Sequence, residues 1–213
     1  MPAMPTARAW PSSRSATTET KPPGSPTGRR VGRFPEGVHG RLPAMSTNTD
    51  SARAPEVIAP GSGQHLHFLN HLATVKVRGG DDGALSVVEF AAPRGLGPPL
   101  HRHEDEDELF VVLSGEVAFH CGEDRLLTGE GGIAFLPHGI PHTFQVHSAT
   151  ADFVCVTGSR LRAPRFDQMV TALGVPTAAA TLPEPGPIDP GRVADVCLEH
   201  GIQILGPPPA PLD

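Results

Sequence analysis

Three histidines and one glutamate stand where a chain could hold a metal ion. His101 and His103 are two residues apart, so on extended backbone both imidazoles leave the same side of the strand. Further along, Glu108 shares a strand face with Phe110 and Val112, while Leu109, Val111 and Leu113 take the other. A carboxylate on an apolar face is expensive to bury unless it is paired or metal-bound, and ligation accounts for its presence. His142 repeats the pattern, sharing a face with Phe144 and Val146 after a turn stiffened by Pro137, Gly139 and Pro141. Three imidazoles and one carboxylate suit a divalent transition metal, whether Fe, Mn, Ni, Co, Cu or Zn, whereas calcium would want more oxygens. With four protein ligands, an octahedral ion keeps positions open for water, substrate or dioxygen.

Each residue also has a plainer reading. A lone strand histidine is more often hydrogen-bonded or exposed than a ligand, and the acidic run from Glu104 to Glu108 could simply be solvated. It is the joint pattern that favours a site. His120, His138 and His147 stay outside the ligand set, as do His65, His67 and His71, for which an exposed or edge position is expected.

These residues need a scaffold, and the chain offers short strands. Runs rich in Val, Phe, Leu and Ile recur at 65–77, 84–92, 109–113, 116–121, 125–128, 133–136, 142–147 and 152–157. The breaks between them, GGDDG, SGE, CGED, GEGG and PHGIP, are turn chemistry. About eight strands at this spacing, without helical periodicity, mean an all-β sandwich or barrel. Two helices follow. Phe166, Met169, Val170 and Leu173 recur at helical spacing within 165–173 and Gly174 ends the run; Asp189 caps a second helix that opens on Pro190 and carries Val193, Val196, Cys197 and His200 on one face. Both read as an appendage packed on the outside of the barrel, with Met169 and Cys197 as packing residues.

Composition limits the remaining possibilities. The 213 residues suffice for one domain with a sizeable core, and 24 glycines with 25 prolines favour turns over long helices. Residues 1–59 are dominated by Pro, Ser, Thr, Gly, Arg and Ala and read as a disordered extension, with MSTNTD at Met45 as an alternative start. A barrel at 60–160 and a helical, Pro-rich tail at 161–213 complete the division. Residues 1–45 carry seven basic and two acidic side chains, so a net charge of -6 leaves -11 for the rest, which disfavours nucleic acid as a partner. Cys121, Cys155 and Cys197 form no CxxC pair and fit a reducing cytoplasm, and no apolar run reaches the roughly 20 residues a bilayer span needs. A soluble cytoplasmic protein with a small-molecule substrate is expected, with no nucleic acid and no membrane partner.

The two histidine segments resemble the signature motifs of the cupin superfamily. Gly95, His101, His103, Glu108 and Gly115 match the first, and Gly131, Pro137, Gly139 and His142 match the second; Val146 stands where the family carries Asn, which is not a ligand. The resemblance, over roughly residues 65–158, implies a double-stranded β-helix or jelly-roll barrel with short C-terminal helices and an ion near its centre. The whole is similar to small single-domain cupins described as quercetin dioxygenase-like. Frequent dimerisation in the family, with the apolar outer residues Leu109, Val111 and Leu113, implies a homodimer.

A metal-dependent dioxygenase acting on an aromatic or enolic small molecule is the leading expectation. Glu108 would be ligand and proton acceptor together, while Phe110, Val112, Phe119, Phe144 and Val146 keep the chamber dry. Two alternatives remain open: a metal-dependent isomerase or decarboxylase, disfavoured because only Arg102 or Arg125 could meet a phosphate, and a non-catalytic binding barrel.

Overall fold

The computed structural model describes residues 54–80 and 84–212. The expected disordered extension at 1–59 lies, apart from 54–59, outside the described residues, as does the centre of the GGDDG turn. Twelve strands and two helices follow in chain order: β1 (Gln64–Phe68), β2 (His71–Val77), β3 (Leu85–Pro93), β4 (His101–His103), β5 (Asp107–Ser114), β6 (Glu116–Cys121), β7 (Asp124–Gly129), β8 (Ile133–Leu136), β9 (His142–Val146), β10 (Thr150–Gly158), α1 (Phe166–Leu173), β11 (Val175–Pro176), α2 (Pro190–Glu199) and β12 (Ile202–Ile204). They form two antiparallel sheets, ordered β11-β1-β2-β3-β10-β5-β8 and β12-β4-β9-β6-β7. This is the all-β architecture expected from the strand pattern, in the jelly-roll form that the cupin resemblance implied.

Alternation along the strands makes the core. Glu108, Phe110 and Val112 of β5 point inward, as do Val88, Phe90 and Ala92 of β3 and Ala151, Phe153 and Cys155 of β10. The inner aromatic rings meet one another: Phe110 lies 5.0 Å from Phe119 and 5.8 Å from Phe144, and Phe153 lies 5.2 Å from Phe144 and 5.5 Å from Phe90, centroid to centroid. Each such pair adds about 0.5–1.5 kcal/mol beyond the area it buries, so the two sheets are clamped by rings rather than by aliphatic contact alone.

Three elements differ from the expectation. The run 65–77 is a hairpin, because Leu69 (φ 47) and Asn70 (φ 68) take left-handed backbone and turn the chain so that Phe68 pairs with His71. Asn is a usual residue in such a turn; Leu is not, which hid the break. The second difference is β12, whose Ile202, Gln203 and Ile204 pair with His103, Arg102 and His101 of β4. Ile-Gln-Ile is too short to stand out as a strand, yet it completes the sheet beside two of the candidate ligands. Third, the helices do more than pack on the outside of the barrel. Phe166 and Met169 of α1 and Val193 and Cys197 of α2 are buried against the barrel and help to enclose its cavity.

Backbone contact is close where β9 meets the segment before β4. A Cβ added at Gly97 would stand 2.0 Å from the Phe144 carbonyl oxygen, so the neighbouring main chain would have to move. Gly97→Ala is expected to lower the unfolding free energy by about 1–3 kcal/mol, the usual cost of overpacking, as a shift of the urea midpoint at unchanged slope.

Candidate metal centre

Two strands and one strand end bring the four candidate ligands together. β4 presents His101 and His103, β9 places His142 directly opposite His101, and β5 sends Glu108 in from the other sheet. One ligand atom from each of the four lies within 4.8 Å of every other. Ligands about 2.1 Å from a common ion stand at most about 4.2 Å apart, so the widest pair would have to draw in to hold one. The Glu108 carboxylate lies 3.5 Å from His103 Nε2 through Oε1 and 3.0 Å from His142 Nε2 through Oε2. His103 Nε2 has no hydrogen-bond partner, His142 Nε2 meets only the Glu108 carboxylate, and both are sealed from solvent. Buried donors or acceptors left bare are costly, and a cation held between these groups would satisfy them together.

Orientation comes from behind the rings. His101 Nδ1 and His142 Nδ1 each donate to a carbonyl two residues back, Pro99 and Ile140, both at 2.8 Å, so each ring turns Nε2 toward the centre. His103 has no such carbonyl. Its Nδ1 faces Glu106 Oε2 at 3.7 Å, and both atoms are buried without a hydrogen-bond partner. Glu106 is held in turn, since its Oε1 accepts the Arg165 N–H at 2.6 Å at the start of α1. The acidic run is therefore not a solvated face. Asp105 pairs with Arg162, Asp107 accepts from His138 at 2.6 Å and Glu108 enters the centre.

Charge states already favour ligation. Burial, with the His103 and His142 rings nearby, lowers the His101 pKa to about 3, so the ring is neutral and its Nε2 lone pair is free. Burial alone would raise the Glu108 pKa, but the His103, His142 and His101 rings outweigh it and hold the carboxyl well below its usual range. For His142, burial lowers the pKa while the adjacent Glu108 carboxylate more than reverses it, leaving the ring more basic than usual. Loading an ion would displace that proton.

From the histidine–carboxylate backing follows one expectation. Once an ion fixes His103 Nε2, the ring must carry its proton on Nδ1, facing Glu106. Glu106→Ala should weaken zinc binding by about 10–100-fold, the usual effect of losing a partner behind a ligand, whereas Glu106→Gln, whose amide oxygen still accepts, retains most of it; competition with a chromogenic chelator measures both.

Beside the four residues opens a cavity of about 420 Å³. Of the apolar residues expected to line it, Phe110 and Phe144 do; Val112, Phe119 and Val146 do not, being packed in the closed core beneath. The shared strand face runs past the cavity floor, so face membership alone overstates the lining. His138 is exposed in its turn. Sequence reasoning missed two groups. Cys155 Sγ donates to Glu108 Oε1 at 3.5 Å, a contact signalled only by its inward register opposite Phe110. His71, set aside as an edge residue, is buried on the cavity wall.

The cupin domain family matches residues 87–157. A stretch of 106 residues, 49% of the chain, is 30% identical to quercetin 2,3-dioxygenase of Bacillus subtilis strain 168 and spans 32% of that protein. A stretch of 99 residues, 43% of the chain, is 30% identical to the probable oxidoreductase virH of Hypocrea virens and spans 45% of that protein. The chain thus spans less than half the length of either relative. Among solved structures, KdgF from a Halomonas species superposes with a TM-score of 0.39 at 18% identity, over 43% of this chain and 80% of that one.

Proposed function

We propose, for a chain whose residues 87–157 are a cupin domain, that it is a metal-dependent dioxygenase acting on an aromatic or enolic small molecule. The observation that carries this reading is the convergence of four ligand groups at one wall of an apolar cavity large enough for such a molecule. His101, His103, Glu108 and His142 would hold a divalent transition ion, with Fe, Mn, Ni, Co, Cu and Zn all compatible with the donor set. Such an ion supplies Lewis acidity toward a substrate hydroxyl or enol and a meeting point with dioxygen. Glu108, kept ionised by the three rings around it, would hold the ion and is the residue placed to receive the hydroxyl's proton, a transfer that its lowered pKa makes uphill. Phe110 and Phe144 keep the chamber dry, and Phe166 and Met169 close it from α1. The dioxygenase and oxidoreductase names of the two curated relatives support oxygen chemistry. Neither Arg102, on the outward side of β4, nor the exposed Arg125 lines the cavity, which disfavours a phosphorylated substrate.

Oxygen consumption tests the proposal. Metal-reconstituted protein given a flavonol or a 1,3-diketone should take up dioxygen in step with substrate loss, and Glu108→Ala should not. Uptake no faster than that of the metal-free protein overturns it; product without oxygen uptake would mean isomerisation or decarboxylation, and binding without product a carrier. The reading extends to a homodimer through the outer face of β5 and β8, where Leu113, Ile133 and Phe135 are 46%, 63% and 55% exposed. Sedimentation should give twice the chain mass. Among the described residues no helix is long and apolar enough to cross a membrane; the cytoplasmic placement proposed with this function would be checked by fractionation.

A further inference from the structure

One buried polar group on the cavity wall has no part in the four-residue cluster. His71 opens β2, packed by Phe68 with ring centroids 5.1 Å apart and by Phe90 at 5.3 Å. Its Nδ1 faces the Leu69 carbonyl at 3.2 Å, a contact only the protonated nitrogen can make, so the neutral ring carries its hydrogen there. Burial lowers its pKa to about 4, which keeps the ring neutral at physiological pH. Nε2 is then a free acceptor: no hydrogen bond to it is made among the described residues, and it is not sealed from solvent, so it is open to the cavity.

A packing role does not explain this choice of side chain. The neighbours are phenylalanines, and a third one would complete the aromatic cluster without leaving an unpaired nitrogen against an apolar cavity. Held polar groups among apolar walls are how small-molecule sites fix orientation. We propose that His71 Nε2 accepts a hydrogen bond from a hydroxyl of the bound small molecule, at a position separate from the groups that meet the ion. The ligand is then an aromatic or enolic compound with a second hydroxyl directed at β2. This rests on the cavity being the substrate chamber of the function proposed above.

Two probes that differ by one donor test it. 1-Naphthol and 1-methoxynaphthalene are titrated into the purified protein, into His71→Phe and into Glu108→Ala, with affinity read from ligand fluorescence. The wild type should prefer naphthol by about tenfold, the scale of one hydrogen bond made to a buried group. His71→Phe, which conserves the aromatic packing, should lose that preference while binding the methoxy compound within about threefold of the wild type. Glu108→Ala should keep it. Preference retained in His71→Phe, preference lost in Glu108→Ala instead, or no binding of either probe to the wild type would overturn the assignment. A chain that shows the naphthol preference through His71 yet takes up no oxygen would retain this subsite and refute the dioxygenase reading alone.

Discussion

A thermal melt of this protein in zinc at a thousandfold excess over the dissociation constant shifts upward by roughly 8–16 °C, and the same addition leaves Glu108→Ala nearly unmoved. Ligand binding at that excess stabilises the folded state by about 4 kcal/mol, and a domain of this size gains about 2–4 °C for each. The site has this capacity because its groups are already assembled: a bare His103 Nε2, a His142 Nε2 that meets only the Glu108 carboxylate, and that ionised carboxylate itself, all buried. Loading relieves that arrangement, and removing any one ligand costs about 2.5–4 kcal/mol of affinity if a total near 10–16 kcal/mol is shared by four. The dependence on pH has a definite sign. Below its raised pKa, His142 holds a proton on the nitrogen that would ligate, so ion and proton compete; the shift therefore grows as pH rises through that value. Differential scanning fluorimetry with zinc and with a chelator, at several pH values, measures all of this. An equal shift in Glu108→Ala would place the ion elsewhere.

Legibility in the sequence followed how local each signal is. His101, His103, Glu108 and His142 could be found because strand alternation converts spacing into facing, and because each polar residue interrupts an apolar face. The second helix was equally plain: Asp189 accepts from the N–H groups of Gly191 and Arg192, as its position before Pro190 promised. Where the signal was tertiary, it was hidden. Nothing in Ile-Gln-Ile says that it will pair with the ligand strand, and only the turn at Leu69 and Asn70 separates β1 from β2. Asn70 then exchanges two hydrogen bonds with Gly186, pinning the linker that leads α2 to the cavity. That long-range tie is what turns two amphipathic helices into the cover of a chamber rather than an ornament on its outside. Glu106 belongs to the same class, for its neighbours in the chain suggest solvent and only the approach of α1 buries it.

The second large effect is on acid stability, and it turns on His71 in the folded protein rather than in the complex. An unfolded His71 takes up a proton near pH 6.5, but the folded one resists until about pH 4 because burial disfavours the cation. Between those values the unfolded state binds more protons, so the contribution to stability is whole above pH 6.5 and drains away as pH falls toward 4. The difference of about 2.5 units corresponds to about 3 kcal/mol. His101, lowered to about 3, acts in the same direction, while Asp167, raised by burial, acts in the opposite sense. Both are common to the wild type and to His71→Phe, so the comparison isolates one ring. Urea unfolding of the metal-free proteins at pH 7 and pH 4 should therefore show the variant losing about 3 kcal/mol less than the wild type over that interval. The change in packing from imidazole to phenyl moves both points of the variant curve together and leaves this difference intact. Parallel losses in the two proteins would mean that His71 reaches water and takes up its proton in the folded state, in which case neither its buried neutrality nor its bare acceptor exists.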